Sequence, residues 1–148
     1  MGDRLKAAIS LAVESGNLLK ENYGKIVKEN KKESLRDIVT DLDIHSESLI
    51  INKLKVLFPR DTILSEELGY FPKDKNSIWI VDALDGTVNY LNNIPIFCVS
   101  IAYWKDGKPL VGAVYNPVTS ELYYAENGLG SFLNQKKIIF SSKPFEEC

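Results

Sequence analysis

Leu5, Ile9, Ala12, Gly16, Leu19 and Tyr23 recur at alternating steps of four and three, which lays one apolar stripe along a helix of about five turns. Gly24 follows as a C-terminal stop. A charged stretch over 25–36 leads to Asp37-Ile38-Val39-Thr40-Asp41-Leu42-Asp43. A second helix is then expected to run to about Leu57, with Ile50, Leu54 and Leu57 on one face and Phe58-Pro59 ending it. Thr40-x-x-Asp43 fits a capping box at its start.

Beyond residue 60 the period shortens. Residues 62–64 and 77–81 read as short buried strands. Phe97, Val99, Ile101 and Tyr103 alternate with Cys98, Ser100, Ala102 and Trp104, the period of a strand whose two faces are both partly covered. Asp106-Gly107 matches a two-residue hairpin turn, and 110–115 and 121–124 are the returning strands. Asn127-Gly128-Leu129-Gly130 and Asn134-Gln135 bracket a last strand around Phe132. Helices followed by a meander predict an α+β domain, with two N-terminal helices packed on a mainly antiparallel sheet.

Composition narrows the classes of function. The 148 residues are 45% hydrophobic and 26% charged, with a formal charge of −2, which excludes a disordered chain and offers no global attraction to nucleic acid or anionic lipid. No apolar run reaches bilayer length, and Met1-Gly2-Asp3-Arg4 is not followed by the apolar core of a signal peptide. Cys98 and Cys148 show neither metal-ligand spacing nor a disulfide framework, so a cytoplasmic setting is expected. Cys98 reads as a small core filler, His45 as an ordinary helix residue, Lys31 and Lys32 as a solvated charge run, and Tyr123 and Tyr124 as sheet residues.

Three acidic clusters sit at the ends of expected elements. In Trp79-Ile80-Val81-Asp82-Ala83-Leu84-Asp85-Gly86-Thr87 an apolar strand delivers two carboxylates three residues apart, then a glycine and a hydroxyl. Asp82, Asp85 and the Leu84 carbonyl are oxygen ligands of the kind Mg²⁺ takes. Gly86 permits close backbone approach, and Thr87 is placed to cap a short helix through Leu91 whose first amides would hold an anion such as phosphate. The bland reading of the same residues is a capped turn. Ser65-Glu66-Glu67-Leu68-Gly69 forms the second cluster, and Asp37, Asp41 and Asp43 the third. Taken singly these face solvent or cap a helix. Converging, Glu66, Asp82 and Asp85 would make a pocket of three like charges that is costly without a cation.

The ordered series from Asp37 to Asp43, Glu66-Glu67, then Trp79 to Thr87 with Val88-Asn89-Tyr90 resembles the inositol monophosphatase family. This is the lithium-sensitive, Mg²⁺-dependent group that includes fructose-1,6-bisphosphatases and 3′-phosphoadenosine-5′-phosphate phosphatases. Ile94-Pro95, Gly112 to Pro117 and Gly128-Leu129-Gly130-Ser131-Phe132 continue the match. The resemblance implies the N-terminal half of a layered αβαβα sugar-phosphatase fold, over 1–148, acting on a small phosphate ester such as inositol monophosphate. It implies Glu66, Asp82 and the Leu84 carbonyl on a first Mg²⁺ and Asp82 with Asp85 on a second, with Glu66 helping a third. Thr87 with Asp43 would orient and deprotonate the attacking water, the amides of Gly86 and Thr87 would hold the phosphate, and Glu67 would play a supporting part. A homodimer is also implied.

Ala83 stands where proline is usual in the family, Tyr90 where phenylalanine is, and Ser65 where glycine is common. The family's second half supplies a Trp-Asp pair that completes the second metal site. Here Trp104 is followed by Lys105, so a catalytically inactive fragment is the alternative expectation, as is a member acting on fructose 1,6-bisphosphate or 3′-phosphoadenosine 5′-phosphate. A paired-carboxylate glycosidase leaves Asp-Gly-Thr unexplained.

Overall fold

The computed structural model describes residues 1–25 and 35–139, with the backbone alone described for 35–40. Helix α1 (Asp3–Asn22) follows the expected stripe, and Leu5, Ala8, Leu11, Ala12, Ser15, Gly16 and Leu19 are buried along it. Small residues at its middle let it lie close on the sheet: a Cβ on Gly16 would fall 2.5 Å from Cδ1 of Tyr115. Gly24 adopts φ +73° just past the helix, as a stop should.

Helix α2 (Leu35–Leu57) begins earlier than its sequence suggests. No glycine or proline interrupts 25–58, so nothing local halts the helix before Thr40. Thr40 therefore lies inside the helix, and the capping-box reading falls. The buried face keeps the expected Ile50 and Leu54 and departs from expectation at Leu57. It carries Asp43, Ser46, Glu47, Ile50, Ile51 and Leu54, whereas Leu57, the last helical residue, is exposed. The hydroxyls of Ser15 and Ser46 hydrogen-bond where α1 crosses α2.

The sheet comprises β1 (Asp61–Ser65), β2 (Gly69–Phe71), β3 (Asp74–Asp85), β4 (Cys98–Lys105), β5 (Lys108–Asn116), β6 (Glu121–Glu126), β7 (Gly130–Leu133) and β8 (Lys136–Ile138). Their order is β2-β1-β3-β4-β5-β6-β7-β8. Every neighbouring pair is antiparallel except β1 and β3. The meander thus holds from β3 onward, with β2 and β8 as short additions, and the β4–β5 turn at Asp106-Gly107 has both residues at positive φ.

Both helices pack on one face of this sheet. Ile63, Trp79, Val81, Val99, Ile101, Tyr103, Val111 and Ala113 are buried beneath them, each large side chain worth roughly 1.5–3 kcal/mol. Arg4 pins the start of α1 to the sheet: its Nη2 donates to Asp61 Oδ2 at 3.0 Å, and its guanidinium lies 4.3 Å from the Tyr103 ring centre. Trp79 Nε1 donates to the same carboxylate at 3.0 Å. On the far face Leu64, Ile80, Trp104, Val114 and Tyr123 are exposed. Among the described residues no helix is long and apolar enough to cross a membrane.

Candidate functional site

The parallel pairing of β1 with β3 brings both C-terminal ends to one edge of the sheet, in the register Ser65 opposite Val81. The Glu66 N–H donates to the Val81 carbonyl at 3.2 Å, which sets the Glu66-Glu67 turn beside Asp82. Across β3, strand β4 faces Asp82 with Ser100 and Asp85 with Cys98, and the register shifts between the two pairs. Ala83 and Leu84 sit in that irregularity with their side chains buried, so the two aspartates flank one short bulged loop in the ladder.

The loop is held by its own polar groups. Asp82 Oδ1 accepts the Leu84 N–H at 3.1 Å, and the Leu84 carbonyl accepts the Thr87 hydroxyl at 3.1 Å. That carbonyl keeps a second lone pair. Gly86 has φ +93° and is the N-cap of α3 (Thr87–Leu91). A Cβ there would fall 2.9 Å from the Ile96 carbonyl oxygen and 3.2 Å from Phe97 Cα, so glycine is required twice, by conformation and by space. Thr87 is the first helical residue and its hydroxyl turns back to Leu84. It does not cap α3 as expected, because Gly86 occupies the cap position without a side chain.

Electrostatics ties the three acidic clusters together. Asp43 is 5% exposed on the inner face of α2, and its carboxyl is pushed up from the ordinary 3.8 to about 7. Burial is the main cause, followed by the charges of Glu67, Glu47, Asp82 and Glu66. Asp82, half-buried, is likewise pushed up to about 7, first by burial, then by its hydrogen bond to Glu66 and the charges of Glu66 and Asp85, against the opposing Leu84 N–H. Glu66, Glu67 and Asp85 are exposed at the rim. Asp41 and His45 are exposed on α2, the latter as expected. The side chain of Asp37 and residues Lys31, Lys32 and Cys148 lie outside the described residues.

Cys98 departs from its expected place in the core. It is half-buried at the first residue of β4, with Sγ 3.6 Å from Asp85 Oδ2, and its thiol is pushed up to about 12 by burial and then by Asp85. The register shift in β3 pairs Asp85 with Cys98 across the ladder and brings the two side chains together.

The donor set is entirely hard oxygen, namely rim and inner carboxylates, a backbone carbonyl and a hydroxyl, which suits a cation of the Mg²⁺ class. Among the described residues, no three His, Cys, Asp or Glu side chains stand in a ready metal-holding arrangement. The carboxylates share a region and a field, without being drawn to one point.

Beside the acidic clusters, one buried acid is missing from the sequence reading. Glu47 is fully buried and accepts the N–H groups of Glu66 (3.0 Å) and Glu67 (3.3 Å) on Oε1 and that of Leu68 (2.7 Å) on Oε2. The signal was available: a carboxylate stands at helical spacing between Asp43 and the apolar pair Ile50 and Ile51.

A profile of the inositol monophosphatase family matches residues 2–147. The chain is 36% identical over 147 residues to the fructose-1,6-bisphosphatase/inositol-1-monophosphatase of Thermotoga maritima, covering 99% of this chain and 57% of that one. It is 41% identical over 135 residues to the protein of the same name from Aquifex aeolicus, covering 90% of this chain and 51% of the relative. The crystal structure of the extragenic suppressor protein suhB from Bartonella henselae superimposes with a TM-score of 0.84 at 34% identity, over 96% of this chain and 56% of the other. The chain therefore spans about half the length of the curated relatives it matches. On the order of its motifs, the fold that presents them and these likenesses together, the chain belongs to the inositol monophosphatase family.

Proposed function

We propose that residues 1–148 form an N-terminal inositol-monophosphatase-like domain contributing the metal-binding and phosphate-holding part of a Mg²⁺-dependent phosphomonoesterase. The substrate class is inositol monophosphate or a related sugar phosphate. One observation carries this reading: the parallel pairing of β1 with β3 and the buried face of α2 gather Asp43, Glu66 and Asp82 into one region, where burial first, and then the neighbouring carboxylates, push Asp43 and Asp82 up to about 7. A purely structural surface spreads its acids apart. A site for cations gathers them.

Glu66, Asp82 and the Leu84 carbonyl are the proposed holders of one Mg²⁺, and Asp82 with Asp85 of a second, Glu66 assisting a third. Bound there, Mg²⁺ would supply a water of lowered pKa and positive charge against the phosphoryl oxygens. Asp43 and Thr87 are assigned to that water, orienting it and taking its proton. Thr87 Oγ1 already donates to Leu84, so its lone pairs remain to accept. The amides of Gly86 and Thr87, at the unsatisfied start of α3, are assigned to the phosphate, with Glu67 in support. A small-molecule partner, a homodimeric state and a cytoplasmic setting are carried over from the resemblance.

A second reading is favoured by the sequence itself. The chain has two tryptophans, Trp79 and Trp104, and neither is followed by aspartate. On that reading the chain alone holds metal without turning substrate over.

Phosphate release from inositol 1-phosphate, measured with Mg²⁺ beside calorimetric titration of Mn²⁺, tests both. Release by the chain, lost in Asp82→Asn, supports the enzyme. Mn²⁺ binding without release, lost in the same variant, supports the metal-holding fragment. Release that survives Asp82→Asn, or Mn²⁺ binding indifferent to it, overturns the assignment.

A further inference from the structure

Burying a carboxylate beside other carboxylates is costly, and Glu47 does both: it is fully buried, and it is one of the charges that push Asp43 up. Three consecutive backbone N–H groups compensate it, and all three belong to the turn that carries Glu66 and Glu67. The contact spans 19 to 21 residues of sequence, so it joins the buried face of α2 to the end of β1 and is not a local cap. Glu47 also lies one helical turn after Asp43, on the same face. A single side chain thereby fixes the distance between the helix that presents Asp43 and the turn that presents Glu66.

We propose that Glu47 is a positioning residue for the metal site: its carboxylate, anchored in α2, clamps the 66–68 turn through three backbone amides and so sets where the Glu66 side chain meets Asp82. The inference rests on the metal-holding role proposed for Glu66 and Asp82. Outer partners that orient a ligand commonly govern metal affinity by roughly 10- to 100-fold. A carboxamide at this position offers one acceptor oxygen where the carboxylate offers two, so it cannot receive both the Glu66–Glu67 pair and Leu68.

The test uses the whole chain, with Mn²⁺ alone as the probe, its free concentration read by electron paramagnetic resonance. Residue-resolved amide exchange at Glu66, Glu67 and Leu68 is measured alongside, at a temperature where every variant is folded. Glu47→Gln is expected to raise the Mn²⁺ dissociation constant by roughly 10-fold or more and to speed exchange at those amides, with Glu47→Asp between it and the parent. A residue that merely supports the fold would lower the melting temperature and leave the affinity of the folded molecules unchanged. Faster exchange with unchanged Mn²⁺ affinity overturns the positioning role. Absence of Mn²⁺ binding by the parent chain overturns the metal reading beneath it. Should Glu47→Gln not fold, Glu47→Asp decides by the same two readouts.

Discussion

Asp82→Asn separates a site built for cations from an ordinary acidic turn, because the two predict opposite signs for stability. The asparagine keeps the shape of the side chain. Its Oδ1 can still accept the Leu84 N–H, which lies 3.1 Å from Oδ1 in the parent, and its amide can donate to Glu66. What it removes is charge. In the folded chain the Asp82 carboxyl is pushed from 3.8 to about 7, so between about pH 4 and pH 7 the folded chain holds a proton that the unfolded chain has released. Stability must therefore fall as pH rises through that window, and the full cost is present above it. A rise of that size in the carboxyl pKa sets a ceiling of about 4 kcal/mol on the cost. Partial solvent screening of the half-buried carboxyl reduces this to roughly 1–2 kcal/mol. In chelator, at pH 8, Asp82→Asn should be the more stable protein by that amount, a rise of several degrees in melting temperature. The gap should close as pH falls toward 4. Mg²⁺ should stabilise the parent and leave the variant almost unmoved. Urea denaturation across this pH range is the assay. A variant less stable than its parent at pH 8, or a gap that ignores pH, refutes the reasoning.

Four further substitutions probe the site and the helix–sheet packing that supports it. Gly86→Ala forces a Cβ to within 2.9 Å of the Ile96 carbonyl at φ +93°, and should cost roughly 1–3 kcal/mol while weakening Mn²⁺ binding, read by denaturation and calorimetry. Gly16→Ala gains about 1 kcal/mol of helix propensity but drives a Cβ to 2.5 Å from Tyr115 Cδ1. Overpacking of that kind costs roughly 1–3 kcal/mol, so a net loss in urea unfolding is expected, and a gain would contradict the close helix–sheet approach. Trp79→Phe withdraws the indole N–H from buried Asp61 and should lower stability by roughly 1–3 kcal/mol, with Asp61→Asn adding a further loss in the double variant because Asp61 also accepts from Arg4.

Legibility followed the range of the interactions. The first helix and the β4–β5 hairpin are set by residues within a few positions of one another, and the sequence reading of them stands. The start of α2 failed because Thr40-x-x-Asp43 has the letters of a cap but no breaker ahead of it. Thr87 failed similarly, since a glycine that can adopt positive φ takes the cap position first. The parallel pairing of β1 with β3, which gathers Glu66 and Asp82, is a long-range fact that no period reveals. Glu47 was passed over because a lone glutamate on a helix reads as surface until three amides 19 to 21 residues away are seen to need it. Cys98 looked like core because alternation places it on a strand but not beside the irregularity that brings Asp85 to it.

Anomalous diffraction from a crystal of the chain soaked in Mn²⁺ addresses the central claim most directly. A peak bounded by carboxylate oxygens of Glu66 and Asp82 and by the Leu84 carbonyl, with a second between Asp82 and Asp85, is the predicted result. A well-ordered turn with no peak there, or Mn²⁺ bound elsewhere while those carboxylates stay apart, would contradict it.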